Sequence, residues 1–260
     1  AFSRGDDIVV EREGRKVVLP QLRCQSASAA ENLSLADYVL PEGEGDDYVC
    51  LFAASAGFGL HELVTGLRES GDEYGAILAK LLADRLAEAF AEALHVAVRR
   101  DLWGFEAGET MPVQEVLAGN YQGARMAFGY PAVPDHSLKK EVFRLLDAER
   151  ITGMKLTDSY MIDPGESLCG MILADRHLKY FDVGKIDAEQ LADYARRRRI
   201  TPEEAKRLLP KRVRAKRKRK VSSQSSWAGL KRPVTRCSAG CLLKTAKKST
   251  TSFMKSLKKQ

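Results

Sequence analysis

Between Glu73 and Arg100 large apolar residues return at every fourth position: Leu78, Leu82, Leu86, Phe90, Leu94 and Val98, with Ile77 and Leu81 beside them. That spacing predicts one amphipathic helix of about seven turns, with the leucine stripe as its packed side. Arg99 and Arg100 stand at its end, where cations suit the helix dipole. Asp84, Glu88 and Glu92 fall together on another side as an acidic face, read first as a solvated one. A chain of 260 residues can bury a full core, so one domain with an appendage is expected.

Shorter signals surround the helix. Residues 6–25 alternate around Ile8-Val9-Val10 and Lys16-Val17-Val18-Leu19 and predict two strands joined by a turn. A short helix is expected at 34–38, a buried strand at 48–54, a helix after Gly59, and a helical turn at 112–117. A second amphipathic helix is predicted over 137–150 through Leu138, Val142, Leu145 and Leu146. Three strand candidates follow, 155–162, 168–173 and 179–186, arranged most simply as an antiparallel meander. Asp187 with Gln190, and Thr201-Pro202 with Glu204, are two helix-start signatures in succession. The expected architecture is α+β: a bent, mostly antiparallel sheet with packed helices.

Between the two amphipathic helices lies N-Y-Q-G-A-R-M-A-F-G-Y-P-A-V-P-D-H, Asn120 to His136. Gly129 allows close approach of a backbone to a ligand, and Pro131 and Pro134 stiffen the chain around it. Arg125 offers a planar fork of donors suited to a carboxylate or to paired hydroxyl oxygens. Read alone, the stretch is either an ordinary proline-glycine connection or one wall of a site for a small polar ligand with an aromatic part. Arg125 is correspondingly either an internal ion-pair partner or a ligand contact.

The pattern R-x-x-x-G-Y-P-x-x-P-D-H, Arg125 to His136, resembles the signature of the activation domain of cobalamin-dependent methionine synthase. Three further blocks are similar to that family: A-D-R-L-A-E-A-F from Ala83 to Phe90, T-G-M-K-L-T from Thr152 to Thr157, and Lys179-Tyr180-Phe181 followed by D-Y-A-R from Asp193 to Arg196. The resemblance extends over residues 1–210, read as an activation domain lacking its N-terminal part. It implies that the domain binds S-adenosylmethionine and presents the methyl group to a cobalamin carried by a neighbouring domain or subunit, with a flavodoxin-type protein as reductase. On the same resemblance the ligand-contacting residues are Arg125, Gly129, Tyr130, Pro131, Tyr180, Phe181 and Glu88. Glu88 would balance the sulfonium or bind ribose. One of the two rings at 180–181 would face the ligand and the other would meet it through main chain. His136 is expected to serve a capping or hydrogen-bonded structural role.

Several positions depart from the family pattern. Met126 and Phe128 stand where it has proline, Gly119 where it has an acid, and Phe181 where it has a second tyrosine. Ser167 to Leu173 reads S-L-C-G-M-I-L in place of S-V-S-G-x-Y-F. The family's further contacting aspartate would lie upstream of Ala1, and a start at Ala1 without Met suggests a fragment. No D-x-H-x-x-G is present to ligate cobalt, nor a cysteine cluster for an activating zinc, so the chain by itself is not expected to methylate homocysteine.

Charge is divided unevenly. Of the 42 lysines and arginines, 17 lie in residues 211–260, where there is no Asp or Glu, which leaves 25 basic against 35 acidic residues in the first 210. The acidic body is read as the domain and 211–260 as a disordered basic tail. That tail supports an alternative function, non-specific nucleic-acid binding through phosphate contacts. A free-standing methyltransferase would need a glycine-rich strand-to-helix loop, which is missing. Five scattered cysteines without a C-x-x-C pair predict reduced thiols and a cytoplasmic setting, with a zinc site at Cys237 and Cys241 as a remote option. No segment reads as membrane-spanning.

Overall fold

A computed structural model of the protein describes residues 1–26, 31–210 and 212–213, all of which belong to one compact unit, Ala1–Lys216. The basic tail expected at 211–260 lies, apart from Arg212 and Val213, outside the described residues, as does the cysteine pair at 237 and 241. The chain opens with three antiparallel strands: β1 (Phe2–Arg4), β2 (Asp7–Arg12) and β3 (Arg15–Pro20). Arg12 pairs with Arg15, so the turn is two residues, Glu13 and Gly14, both at positive φ (53° and 75°). That geometry matches the right-handed twist of paired strands, which is why a glycine stands there. Ile8 and Leu19 carry the inner side of the hairpin into the main core.

The second sheet positions the candidate site. Its order is β4 (Cys50–Ser55), β8 (Ser167–Leu173), β5 (Ala124–Ala127), antiparallel throughout, with Phe52 opposite Gly170 and Met126 opposite Met171. Side chains on a strand alternate between faces. Met126, Met171 and Leu173 therefore pack on one side, with Leu138 and with Val142 of α4 (Lys139–Leu146). Ile172 and Phe52 pack on the other, with Ala91 of α2 (Glu73–Ala97) and Val98. Gly170 is required at the middle of β8, because a Cβ there would lie 2.5 Å from the Met126 carbonyl oxygen and 2.7 Å from the Phe52 ring.

The long helix forms as the periodicity predicts, capped by Asp72, whose carboxylate accepts from the Gly75 N–H at 2.7 Å, and prolonged by a π turn (Val98–Leu102). Its packed side differs from the expectation. Ala76, Ala83, Ala87, Ala91 and His95 face inward, whereas Leu82, Leu86 and Phe90 are 52%, 61% and 52% exposed. Alanine lets α2 lie close against α1 (Leu60–Glu69) and the sheet, which leucine in the same places would hold off. The bulky stripe forms an apolar surface on the described body, continued by Ile77 and Leu81.

Other expectations also change in detail. The helix predicted over 137–150 is divided: a 3-10 turn (His136–Leu138) leads into α4, Asp147 takes a left-handed φ of 52°, and α5 (Ala148–Thr152) follows. The strand candidate 155–162 is a two-stranded hairpin instead, β6 (Lys155–Leu156) with β7 (Ile162–Asp163), closed around Tyr160 at φ 61°. The candidate 179–186 forms no strand: Gly184 takes a φ of 71°, and the segment makes only a bridge between Ile186 and Val213. No meander forms, because β8 inserts between β4 and β5. Between β4 and β5 the chain also forms α3 (Val113–Ala118). Two helices close the body, α6 (Ala188–Arg198) and α7 (Pro202–Leu208), capped by Asp187 on the Gln190 N–H (2.9 Å) and Thr201 on the Glu204 N–H (3.2 Å). They pack with Leu22, Val183 and Ile186 in a second core cluster. Arg212 and Val213 still join the body, through the Ile186 N–H to the Arg212 carbonyl (2.8 Å) and an Arg212–Asp182 ion pair.

Candidate functional site

Strand alternation decides where Arg125 points. Met126 enters the α4 side of the sheet, so Arg125, opposite Ile172, is delivered to the α2 side. There its Nη2 donates to Glu92 Oε2 at 3.0 Å, with side-chain exposures of 17% for Arg125 and 22% for Glu92. Glu92 is thus drawn out of the acidic row that the sequence presents as solvated, while Asp84 and Glu88 remain exposed.

The chain then turns at Gly129, at φ 95°, and the Gly129 N–H donates to the Val133 carbonyl at 2.7 Å. Its conformational need is met here by packing rather than by a ligand: a Cβ would lie 2.1 Å from Cε1 of His136. His136 lies beside Lys139, whose Nζ is 3.0 Å from Nδ1, and its pKa is lowered by burial and then by that ammonium. Asp135 is a buried anchor, accepting from the Ser137 N–H and hydroxyl (2.8 and 2.6 Å) and from the Tyr194 hydroxyl (2.6 Å). The P-D-H segment therefore locks the turn onto α6.

That lock places Tyr130 outward. Its hydroxyl lies 3.4 Å from Glu88 Oε1, one helical turn from Glu92, so Tyr130 and Arg125 meet successive carboxylates along α2. Burial raises the Tyr130 pKa, Glu88 raises it further and Arg125 opposes them. Pro131 accepts from the Val183 N–H at 3.2 Å, which brings the 180–183 segment alongside the turn. Tyr180 is exposed, its phenol pushed up by burial and drawn back by a backbone hydrogen bond from Ala132, while Phe181 turns in against both core clusters. Arg125, Tyr130, Pro131, Tyr180 and Glu88 thus gather at one edge of the sheet, with Gly129 shaping the turn from within and Phe181 directed into the core.

Beneath Arg125 lies a polar cluster that the pattern analysis missed. Arg99 is fully buried rather than a surface complement to the helix dipole. Its Nε and Nη2 donate to Glu109 at 2.6 and 2.8 Å, and its guanidinium stacks 4.0 Å from the Tyr121 ring centroid. His95 meets the same ring edge-on at 4.8 Å. Burial, then the charges of Arg99 and Arg125, holds the His95 pKa down to about 3, against an opposing pull from Glu109. The available signal was the spacing of Glu92, His95 and Arg99, which shares one helical face with the inward alanines. A cleft of about 430 Å³ between α2 and α3 is bordered by Glu92, Arg100 and Glu109. A larger one, about 540 Å³, is lined by Lys140, Arg144 and Tyr160 and involves none of the expected residues.

The described residues contain no group of three or more His, Cys, Asp or Glu side chains placed to hold a metal, and no helix long and apolar enough to cross a membrane. Cys24, Cys50 and Cys169 are free thiols. The model of the family described as vitamin B12 dependent methionine synthase, activation domain, matches residues 1–199. A crystal structure of the MetH reactivation domain bound to AdoHcy is similar at 40% identity and a TM-score of 0.78, over 82% of this chain and 67% of that one. The match runs through almost the whole described length of a chain that ranges Arg125 and Tyr130 along an acidic helix, and it places the protein: it belongs to the vitamin B12-dependent methionine synthase activation domain family.

Proposed function

We propose that this chain binds S-adenosylmethionine at the edge formed by Arg125, Tyr130 and Tyr180 and serves the reductive reactivation of cobalamin-dependent methionine synthase. The observation that carries the reading is the family match over residues 1–199, which ends before the basic segment and so favours this function over nucleic-acid binding through 211–260. The residues fit the ligand's chemistry. A sulfonium nucleotide with an amino-acid tail needs a donor fork, aromatic faces and a carboxylate near its positive charge. Arg125 would meet the carboxylate or ribose oxygens, Glu88 the sulfonium or ribose, and Tyr130 and Tyr180 the flat part. Gly129 and Pro131 would hold the wall in shape, and Phe181 would contribute main chain.

Cobalamin, carried by the cobalamin-binding domain or subunit of the enzyme, supplies the methyl-accepting centre after a flavodoxin-type reductase delivers an electron. The part played by this chain is binding and orientation of the methyl donor. We assign that part to the body of residues 1–210, with 211–260 as an appendage, in a cytoplasmic setting compatible with the free thiols. Calorimetric titration of the full chain with S-adenosylmethionine tests the reading. Saturable heat is expected, weakened at least about tenfold by Arg125→Ala, as for loss of a charge-assisted hydrogen bond. Absence of heat, or undiminished affinity in the variant, counts against it.

A further inference from the structure

Two buried-side arginines in this molecule are paired in different ways. Arg99 and Glu109 meet through a two-pronged fork, 2.6 and 2.8 Å, which satisfies both carboxylate oxygens. Arg125 and Glu92 meet through one bond only, 3.0 Å, although both side chains are largely covered. Oε1 of Glu92 and Nε of Arg125 are buried without a hydrogen bond of good geometry, the Tyr121 hydroxyl interacting with Glu92 only weakly. Both ring nitrogens of His95 and Nη1 of Arg99 are in the same condition, so five of the eight such atoms among the described residues gather at this one place. Glu92 and His95 of α2, and Arg99 of the π turn that prolongs it, follow one another at three- and four-residue steps and so lie on the side that looks toward β5.

Unsatisfied polar atoms are costly when buried, and their concentration at one locus marks a site kept for something other than stability. A pair kept for stability alone would engage both oxygens of its carboxylate, as Arg99 does with Glu109. A single bond to Nη2 instead fixes the plane of the Arg125 guanidinium while leaving the rest of the fork uncommitted. We infer that Glu92 is a positioning residue: it orients Arg125 so that the guanidinium is presented ready to the carboxylate or ribose oxygens of the nucleotide. Glu92 itself touches no ligand. This rests on the assignment of Arg125 as a ligand contact.

The test is a double-mutant cycle on the full chain, read by calorimetric titration with S-adenosylmethionine. Glu92→Gln keeps the shape of the side chain and removes its charge, and is expected to weaken binding about tenfold, the size of coupling common between residues of one network. In an Arg125→Ala background the same substitution is expected to change Kd less than about twofold, since the residue it orients is gone. A merely structural role would weaken binding equally in both backgrounds, and that result overturns the inference, as does a Glu92→Gln affinity equal to that of the wild type. If Glu92→Gln does not fold, Glu92→Asp carries the same cycle, because it keeps the charge and withdraws the carboxylate by one methylene. Full affinity in Arg125→Ala alone would instead remove the underlying assignment, and the two failures are thereby told apart.

Discussion

Replacing His95 with phenylalanine should flatten the response of stability to acid. His95 is fully buried, its ring nitrogens find no protein partner, and its pKa is held to about 3 by burial first and then by Arg99 and Arg125. In the unfolded chain the same imidazole takes a proton near pH 6.5. A depressed folded pKa means that the unfolded state binds the extra proton below 6.5. Stability is therefore untouched above that pH and is lost as pH falls from 6.5 toward 3. Between pH 7.5 and 5.5 the loss is about 1.3 kcal/mol, taking 6.5 for the unfolded chain and no protonation of the folded one. Ordinary carboxylates titrate below this interval, and His136 is common to both proteins, so the difference between them isolates His95. Phenylalanine keeps a ring against Tyr121, and any packing penalty it brings does not vary with pH. The assay is urea unfolding at the two pH values, followed by tryptophan fluorescence. At a slope of about 2 kcal/mol/M the wild-type midpoint should fall by roughly 0.6 M more than that of the variant. Equal falls in both proteins would show that His95 is protonated in the folded state, and the account of the cluster beneath Arg125 would be wrong.

Two further outcomes follow from packing. Leu86→Lys, on the outward stripe of α2, should change unfolding free energy by no more than about 0.5 kcal/mol, whereas Ala87→Leu, at a position only 3% exposed, should cost about 1–3 kcal/mol through overpacking; denaturant unfolding of both variants checks the assigned faces. Gly129→Ala should destabilise by at least about 2 kcal/mol, combining the strain of φ 95° with a Cβ placed 2.1 Å from the His136 ring. In a His136→Ala background only the backbone part, about 1 kcal/mol, should remain, as read from the shift in thermal midpoint.

Local order was legible along most of the chain. The hairpin at 7–20, the long helix, the helix starts at Asp187 and Thr201 and the strand at 167–173 each carry a periodicity or a cap that acts over a few residues. Arg125, Tyr130 and Tyr180 could be nominated from the linear pattern because the family signature lies in contiguous blocks. Glu92 and the His95–Arg99–Tyr121 cluster could not, because their meaning depends on contacts between α2, β5 and the segment after α3. The division of the 137–150 helix at Asp147 was likewise hidden, since a left-handed residue inside an amphipathic run leaves little mark on its period.

By itself the sequence determined which segments coil and which extend, for those choices depend on neighbours within a turn or two. Tertiary structure alone decided which way they face. The leucines of α2 offer more apolar area than its alanines, and composition would bury them. Yet the space between α2, α1 and the sheet admits only the smaller side chains, and closeness of approach prevailed over hydrophobic area. The same placement turns one carboxylate of an acidic row toward β5, and so converts Arg125 from a lone cation into one half of a pair.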